Sequence, residues 1–325
     1  GLFFLGIVGF FLTALSRNST LSDGPLPTES AVGLQASSLA VLLALVTWVS
    51  SIAGIPSGLE TTTFYEFTIW GAGHALQVAN ASAMLAVWLW ALNKATGTPV
   101  VSKRTANLLF GLLIAPHFIL PLLTINGTLD PLYHNGATQL MRWGIFPILI
   151  VFLILGVRHL WHHRSTQKTN ASRAIIAGFW ASVSLTVLGI VLGACIRSST
   201  TLVPAHYHAS LGGVTVAFMT AAFLIAGTIK SKQSLGRNVW KSIKRQLAVF
   251  GIGQTVFALG FAIGGVYGLS RKAYASEQTV RSLGEYIGLI TMGLGGLIAV
   301  VGGLWFLFLI IREALAWFGN TQPAE

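Results

Sequence analysis

The chain has 325 residues, 54% of them hydrophobic and 9% charged, with a mean hydropathy of +0.73. Soluble domains carry about a quarter charged residues, so a water-soluble globule is excluded, and so is intrinsic disorder. Twenty basic against nine acidic residues give a net charge of +11, which in so apolar a chain reads as membrane topology before it reads as nucleic-acid binding. A single cysteine, Cys195, excludes an intrachain disulfide framework, a thiolate zinc cluster and covalent c-type haem attachment. Ligand chemistry therefore falls to eight histidines and a few polar side chains.

About 20 apolar residues in a helix span a bilayer core. Nine stretches meet or approach that length, at about 2–16, 35–55, 63–92, 105–126, 138–158, 174–196, 203–229, 246–269 and 286–312. The expected fold is an all-α polytopic transmembrane bundle, a single domain over 1–325. The first stretch begins abruptly at Gly1 without a basic leader or a small-residue cleavage site, so it reads as a truncated helix rather than a signal peptide.

Fifteen of the twenty basic residues follow odd-numbered spans and five lie on the other side. That bias places the C-terminus and the odd-side loops in the cytoplasm and the N-terminus outside. The expected location is a bacterial inner membrane. The cluster from Lys230 to Arg245 reads as an inner loop beside anionic lipid, with no nucleic-acid partner. Residues 159–173, with His159, His162 and His163, read as a solvated inner loop. The glycine-rich runs Gly251–Gly265 and Gly288–Gly303 suit close helix packing in lipid.

Ionisable groups inside a bilayer are expensive and point to function. No Lys, Asp or Glu is expected deep within a span; the buried candidates are His74, His117, His206 and His208. In "VPAHYHASLGGV" the two histidines stand at i and i+2, about 200° apart around a helix. They face opposite flanks and suit two separate cofactors rather than one chelated metal, with Ala209, Gly212 and Gly213 leaving room for flat macrocycles. His74 in "YEFTIWGAGHALQVAN" and His117 in "LLIAPHFILPLL" occupy adjacent antiparallel spans, at about 15 and 13 Å from the same end. The plain alternative for each histidine is a hydrogen-bonded packing residue.

These motifs resemble subunit I of the haem-copper oxidase superfamily. "AHYHASLGGVTVAFM" resembles its tenth helix, "IWGAGH" its sixth in the style of C-family oxidases and nitric oxide reductases, "APHF" its seventh, and "LSRKAY" the basic pair that holds haem propionates. The order matches helices four to twelve. The resemblance implies His206 as proximal ligand of a high-spin haem and His208 as an axial ligand of a low-spin haem. It implies His74 and His117 as ligands of copper or non-haem iron, and Arg271 and Lys272 as propionate partners. His74, His117 and His206 would form the catalytic set. The implied cofactors are two non-covalent b-type haems, with copper or non-haem iron beside one. The implied partners are membrane lipid, other respiratory subunits and a cytochrome c or similar electron donor.

The sequence departs from the family at four points. Helices one to three, with the second low-spin ligand, are missing, so another chain must supply that ligand or the sequence is a fragment. Phe118 replaces the second seventh-helix histidine, and Val78 stands where oxygen reductases have a tyrosine. No buried lysine or carboxylate marks a proton channel. The implied function is a divergent respiratory oxidoreductase reducing dioxygen or nitric oxide. The alternatives are a haem-bearing electron-transfer or structural subunit with a degenerate metal site, and a transporter with coincidental histidines.

Overall fold

The computed structural model describes residues 26–164, 169–229, 235–271 and 279–319. Within them every regular element is a helix, apart from one isolated antiparallel bridge, Thr200 to Ser270. Eight stretches are long and apolar enough to cross a membrane. The chain is an all-helical integral membrane protein, as its composition requires. The expected span at 2–16 lies outside the described residues. The chain divides into two compact units, residues 1–93 with 97–162 and residues 94–96 with 163–325.

In the first unit α1 covers Thr28–Ala53, starting seven residues ahead of expectation. Pro27 precedes it in an extended conformation and Glu29 sits in its first turn, where a carboxylate suits the helix dipole. Its polar residues turn into the protein: Ser37 Oγ donates to the Ala79 carbonyl at 2.9 Å. α2 covers Thr61–Thr96 and stops at Gly97, whose φ of 80° only glycine adopts freely. α3 covers Lys103–Ile114 with Ser102 as its cap, then tightens into 3-10 turns over Ala115–Ile119 and Leu122–Thr124. Pro116 and Pro121 lack the amides an α-helix needs there.

The next span starts at Pro131, not 138. Asp130 accepts the Leu132 amide at 2.8 Å and Pro131 takes the first helical position. It runs as α4 (Pro131–Leu140), a π-helical turn (Met141–Ile145) and α5 (Phe146–His162). Leu43, Ala44, Ala75, Leu120 and Ala137 form the local core, with Trp70 and Leu140 packed on it. The solvated loop expected from residue 159 is corrected: α5 continues through His162 and buries His159 beside Leu160.

In the second unit α6 covers Asn170–Cys195, capped by Thr169; α7 covers Leu202–Ile229; α8 covers Arg237–Val266; α9 covers Leu283–Gly319. The basic cluster expected as a loop over 230–245 is helical from Arg237. Lys241, Lys244 and Arg245 lie on its exposed face, while Ile243, Gln246 and Leu247 are buried. α8 and α9 meet along a row of glycines. A Cβ at Gly253 would strike the Ala299 backbone, one at Gly260 the Met292 backbone, one at Gly288 the Gly264 backbone and one at Gly295 the Phe257 backbone. The two backbones therefore touch, which is how small residues join helices in lipid.

Three carboxylates are buried, all outside the apolar stretches in which none was expected. Glu29, Glu285 and Glu313 are all buried, each near a helix end where a polar partner is in reach. Glu29 accepts from Asn93 Nδ2 at 3.1 Å, Glu285 takes the Arg281 amide at 2.7 Å, and Glu313 pairs with Arg312 at 2.9 Å.

Candidate cofactor sites

His206 and His208 leave α7 on different flanks. His206 turns to α6: its Nδ1 donates to the Gly189 carbonyl at 2.6 Å, and a Cβ at Gly193 would meet that ring at 2.7 Å. The α6 stretch "LGIVLGAC" thus offers the ring a carbonyl to orient it and a glycine to make room. With Nδ1 donating, a neutral His206 carries its lone pair on Nε2, the atom that ligates a metal. His208 turns to α8. Phe261 stacks on it with centroids 5.2 Å apart and 4° between planes, and Phe257 meets it edge-on at 4.9 Å.

A cavity of about 340 Å³ opens beside His208, lined also by Tyr207, Phe261, Leu269, Arg271 and Met292. Its size is at the small end of ligand pockets. Arg271 is held there by Nε donating to Ser199 Oγ at 2.7 Å. The Thr201 amide bonds the Leu269 carbonyl at 2.9 Å, and this tie brings the loop carrying Arg271 to the start of α7. An imidazole, a guanidinium and apolar walls on one cavity fit a haem edge and its propionate. Lys272 lies outside the described residues.

In the first unit His74 Nδ1 donates to the Trp70 carbonyl at 2.7 Å, and His117 Nδ1 to the Leu113 carbonyl at 2.9 Å. Both therefore present Nε2. His117 is 1% exposed, and its Nε2 is buried with no hydrogen-bond partner. Its ring lies on the π-helical turn, where a Cβ at Gly144 would come within 2.6 Å. Phe118, the next residue, is 49% exposed and faces away. Among the described residues no group of three or more His, Cys, Asp or Glu is close enough to hold a metal ion. Two imidazoles supply only half of a tetrahedral donor set, so the residues present do not by themselves fit a copper or non-haem iron site.

Two residues absent from the sequence expectations belong to this cluster. Tyr133, fully buried, accepts the Gly71 amide at 2.8 Å and lies 2.8 Å from Ser51 Oγ. His134 follows it, meets Phe67 edge-on at 4.8 Å and lies against Trp70 at 5.0 Å, with Trp70 in turn 5.0 Å from His74. His134 Nε2 donates to the Thr128 carbonyl at 3.0 Å. The Asp130–Pro131 start signal could have placed both on a helix.

No protein-family model matches the chain. It is 25% identical over 287 residues to an uncharacterized protein of Rickettsia prowazekii (strain Madrid E), covering 77% of this chain and 55% of that one. It is 26% identical over 197 residues to an uncharacterized protein of Aquifex aeolicus (strain VF5), covering 59% and 46%. The chain thus spans about half the length of the curated relatives it matches. Among solved structures, a chain of a haem-copper terminal oxidase dimer superposes with a TM-score of 0.63 at 16% identity, covering 89% of this chain and 57% of that chain. By fold, this chain is similar to a haem-copper terminal oxidase subunit.

Proposed function

We propose that the chain is a haem-bearing subunit of a membrane-bound respiratory oxidoreductase related to the haem-copper terminal oxidases, acting on dioxygen or nitric oxide. The observation that carries this reading is the divergence of His206 and His208 from one helix, with His208 opening on a cavity that Arg271 also lines. Support also comes from the likeness of the fold to a haem-copper terminal oxidase chain.

Bound haem supplies one-electron chemistry and, where one axial position stays open, a place for a small gas. The chain's own residues do the rest. His208, set against Phe257 and Phe261, would hold the haem iron through a ring nitrogen. Arg271 would offset the charge of a propionate there. The Gly189 carbonyl fixes the His206 tautomer and ring plane, a role that such partners play for metal-bound imidazoles. The proposed partners are lipid, accompanying respiratory subunits and a cytochrome c-like donor; the proposed orientation keeps the C-terminus in the cytoplasm of a bacterial cell.

A second reading, an electron-transfer or structural haem subunit without gas chemistry, draws on the outward face of Phe118 and the pairing of only two metal-directed imidazoles, His74 and His117. One experiment covers both. The chain is purified with the subunits that accompany it, and reduced-minus-oxidised spectra are taken with and without carbon monoxide. A carbon monoxide shift abolished by His206→Ala supports gas chemistry. Haem bands without any shift support the second reading. No haem absorbance at all overturns both.

A further inference from the structure

α1 and α3 leave a groove of about 490 Å³ between them, lined by Gln35 and Leu39 of α1, by Asn107, Gly111 and Ile114 of α3, and by Phe118 in the turn that follows. The two helices run parallel, separated in sequence by the antiparallel α2. They touch where a Cβ at Gly33 would strike the Phe110 ring. Gly33 and Phe110 lie about 8 and 11 Å from their helix starts, so heights along the two helices compare directly.

The surface changes character with height. Lys103 and Arg104, both exposed, begin α3, and neither forms an ion pair among the described residues. The carboxylate at that level, Glu29, is buried and accepts from Asn93, so it is turned away from the two cations. The carboxamides of Asn107 and Gln35 follow at about 6 and 11 Å, and Leu39 and Ile114 both stand at about 17 Å. Lys103, Asn107, Gly111 and Ile114 succeed one another at intervals of three or four residues, so they share one face of α3.

Cations, then carboxamides, then apolar walls is the order of phosphate, ester and acyl chain in a phospholipid lying along the helices. Basic residues at the edge of a membrane attract anionic headgroups, and a carboxamide donates to an ester carbonyl. Any acyl chain fills an apolar groove, but the polar groups below it on the same face select the head.

We propose that the α1–α3 groove binds one anionic phospholipid, its phosphate on Lys103 and Arg104, its esters on Asn107 and Gln35, and an acyl chain against Gly111 and Ile114. The site stands independently of the haem-bearing reading above.

The test uses the chain purified with its accompanying subunits in mild detergent, by native mass spectrometry with phosphatidylglycerol and phosphatidylcholine added in equal amounts. The expected wild-type result is one phosphatidylglycerol retained per chain in preference to phosphatidylcholine. A Cβ at Gly111 meets nothing within 4 Å, so the ring of Gly111→Trp enters the groove and abolishes that retention. Lys103→Gln and Arg104→Gln, at exposed positions, each lower the preference about fivefold. A wild-type chain that retains no phosphatidylglycerol overturns the proposal. So does retention unchanged in Gly111→Trp, or a preference unchanged by both charge removals. Loss of an accompanying subunit in place of lipid from Gly111→Trp assigns the groove to a partner's helix and overturns it too.

Discussion

The Tyr133 hydroxyl and the Gly71 amide are joined at 2.8 Å, which pins the start of α4 onto the middle of α2. Ser51 Oγ donates to the Thr47 carbonyl at 2.8 Å, so it is free only to accept the tyrosine proton. The hydroxyl thus bridges Ser51 of α1 and the Gly71 amide of α2, with the Phe67 carbonyl of α2 3.4 Å away. A Cβ at Gly71 would lie 2.8 Å from that oxygen and 2.9 Å from Thr47 Cγ2, so only glycine permits the approach. Because His134 follows Tyr133 and His74 lies one turn beyond Trp70, the same bond aligns the aromatic stack between them.

Tyr133→Phe removes both of the buried hydroxyl's short contacts, that from the Gly71 amide and that with Ser51, whose Oγ keeps its bond to the Thr47 carbonyl. The expected loss of stability is about 1–3 kcal/mol, read as a lower Tm in detergent. Ser51→Ala removes only one of the two bonds and lowers the Tm less. Equal effects in the two variants would count against the bridging role.

Gly260→Leu forces a branched side chain into a backbone contact with Met292. Overpacking of this kind costs about 1–3 kcal/mol or more. The expected result is a lower yield of folded chain and a lower Tm, whereas Gly303→Leu, at a position with open space beside it, leaves both unchanged.

Adding by Phe118→His the second histidine that the resemblance leads one to expect brings in no metal. Residue 118 points away from the buried His117 ring, and the 3-10 turn fixes that opposition. Elemental analysis of wild type and variant should give the same copper and iron per chain. A rise by one equivalent shows that the turn can rotate.

Arg271→Gln removes the cation from the His208 cavity and its bond to Ser199. Haem retention there falls about tenfold, the scale of a partly exposed charged hydrogen bond. The midpoint potential of that haem falls too, because the oxidised form loses a neighbouring positive charge. Spectroelectrochemistry beside His208→Ala, which removes the same signal, identifies the haem affected.

The membrane spans were legible because apolar length is a property of composition, and seven of the eight described spans begin or end within a few residues of their hydrophobic stretch. The larger misses share one cause. α1, α4 and α8 start seven to nine residues early because polar first turns are helical without being apolar, and only that of α4 has a side-chain cap. Asp130–Pro131 carried that signal in plain view, and with it Tyr133 and His134. The opposite facing of His206 and His208 follows from helical spacing alone and is present in the structure. The π-helical turn under His117 had no counterpart in the sequence pattern, since an extra residue per turn leaves no mark in residue types. Nor could spacing show that Phe118 turns outward, which depends on where the 3-10 turns fall after Pro116.

The π-helical turn at Met141–Ile145 also sets the phase of everything that follows it. Each such turn holds one residue more than an α-turn, so it absorbs the rotation of about 100° that the extra residue would otherwise give to the later side chains. Tyr133 and Ala137 face inward before it, and Leu149, Phe152 and Gly156 face inward after it. Deleting a single residue between 141 and 145 would relax the turn to α-helix with both stripes still facing inward, whereas adding one there without a wider turn would swing one of them by about 100° toward the acyl chains.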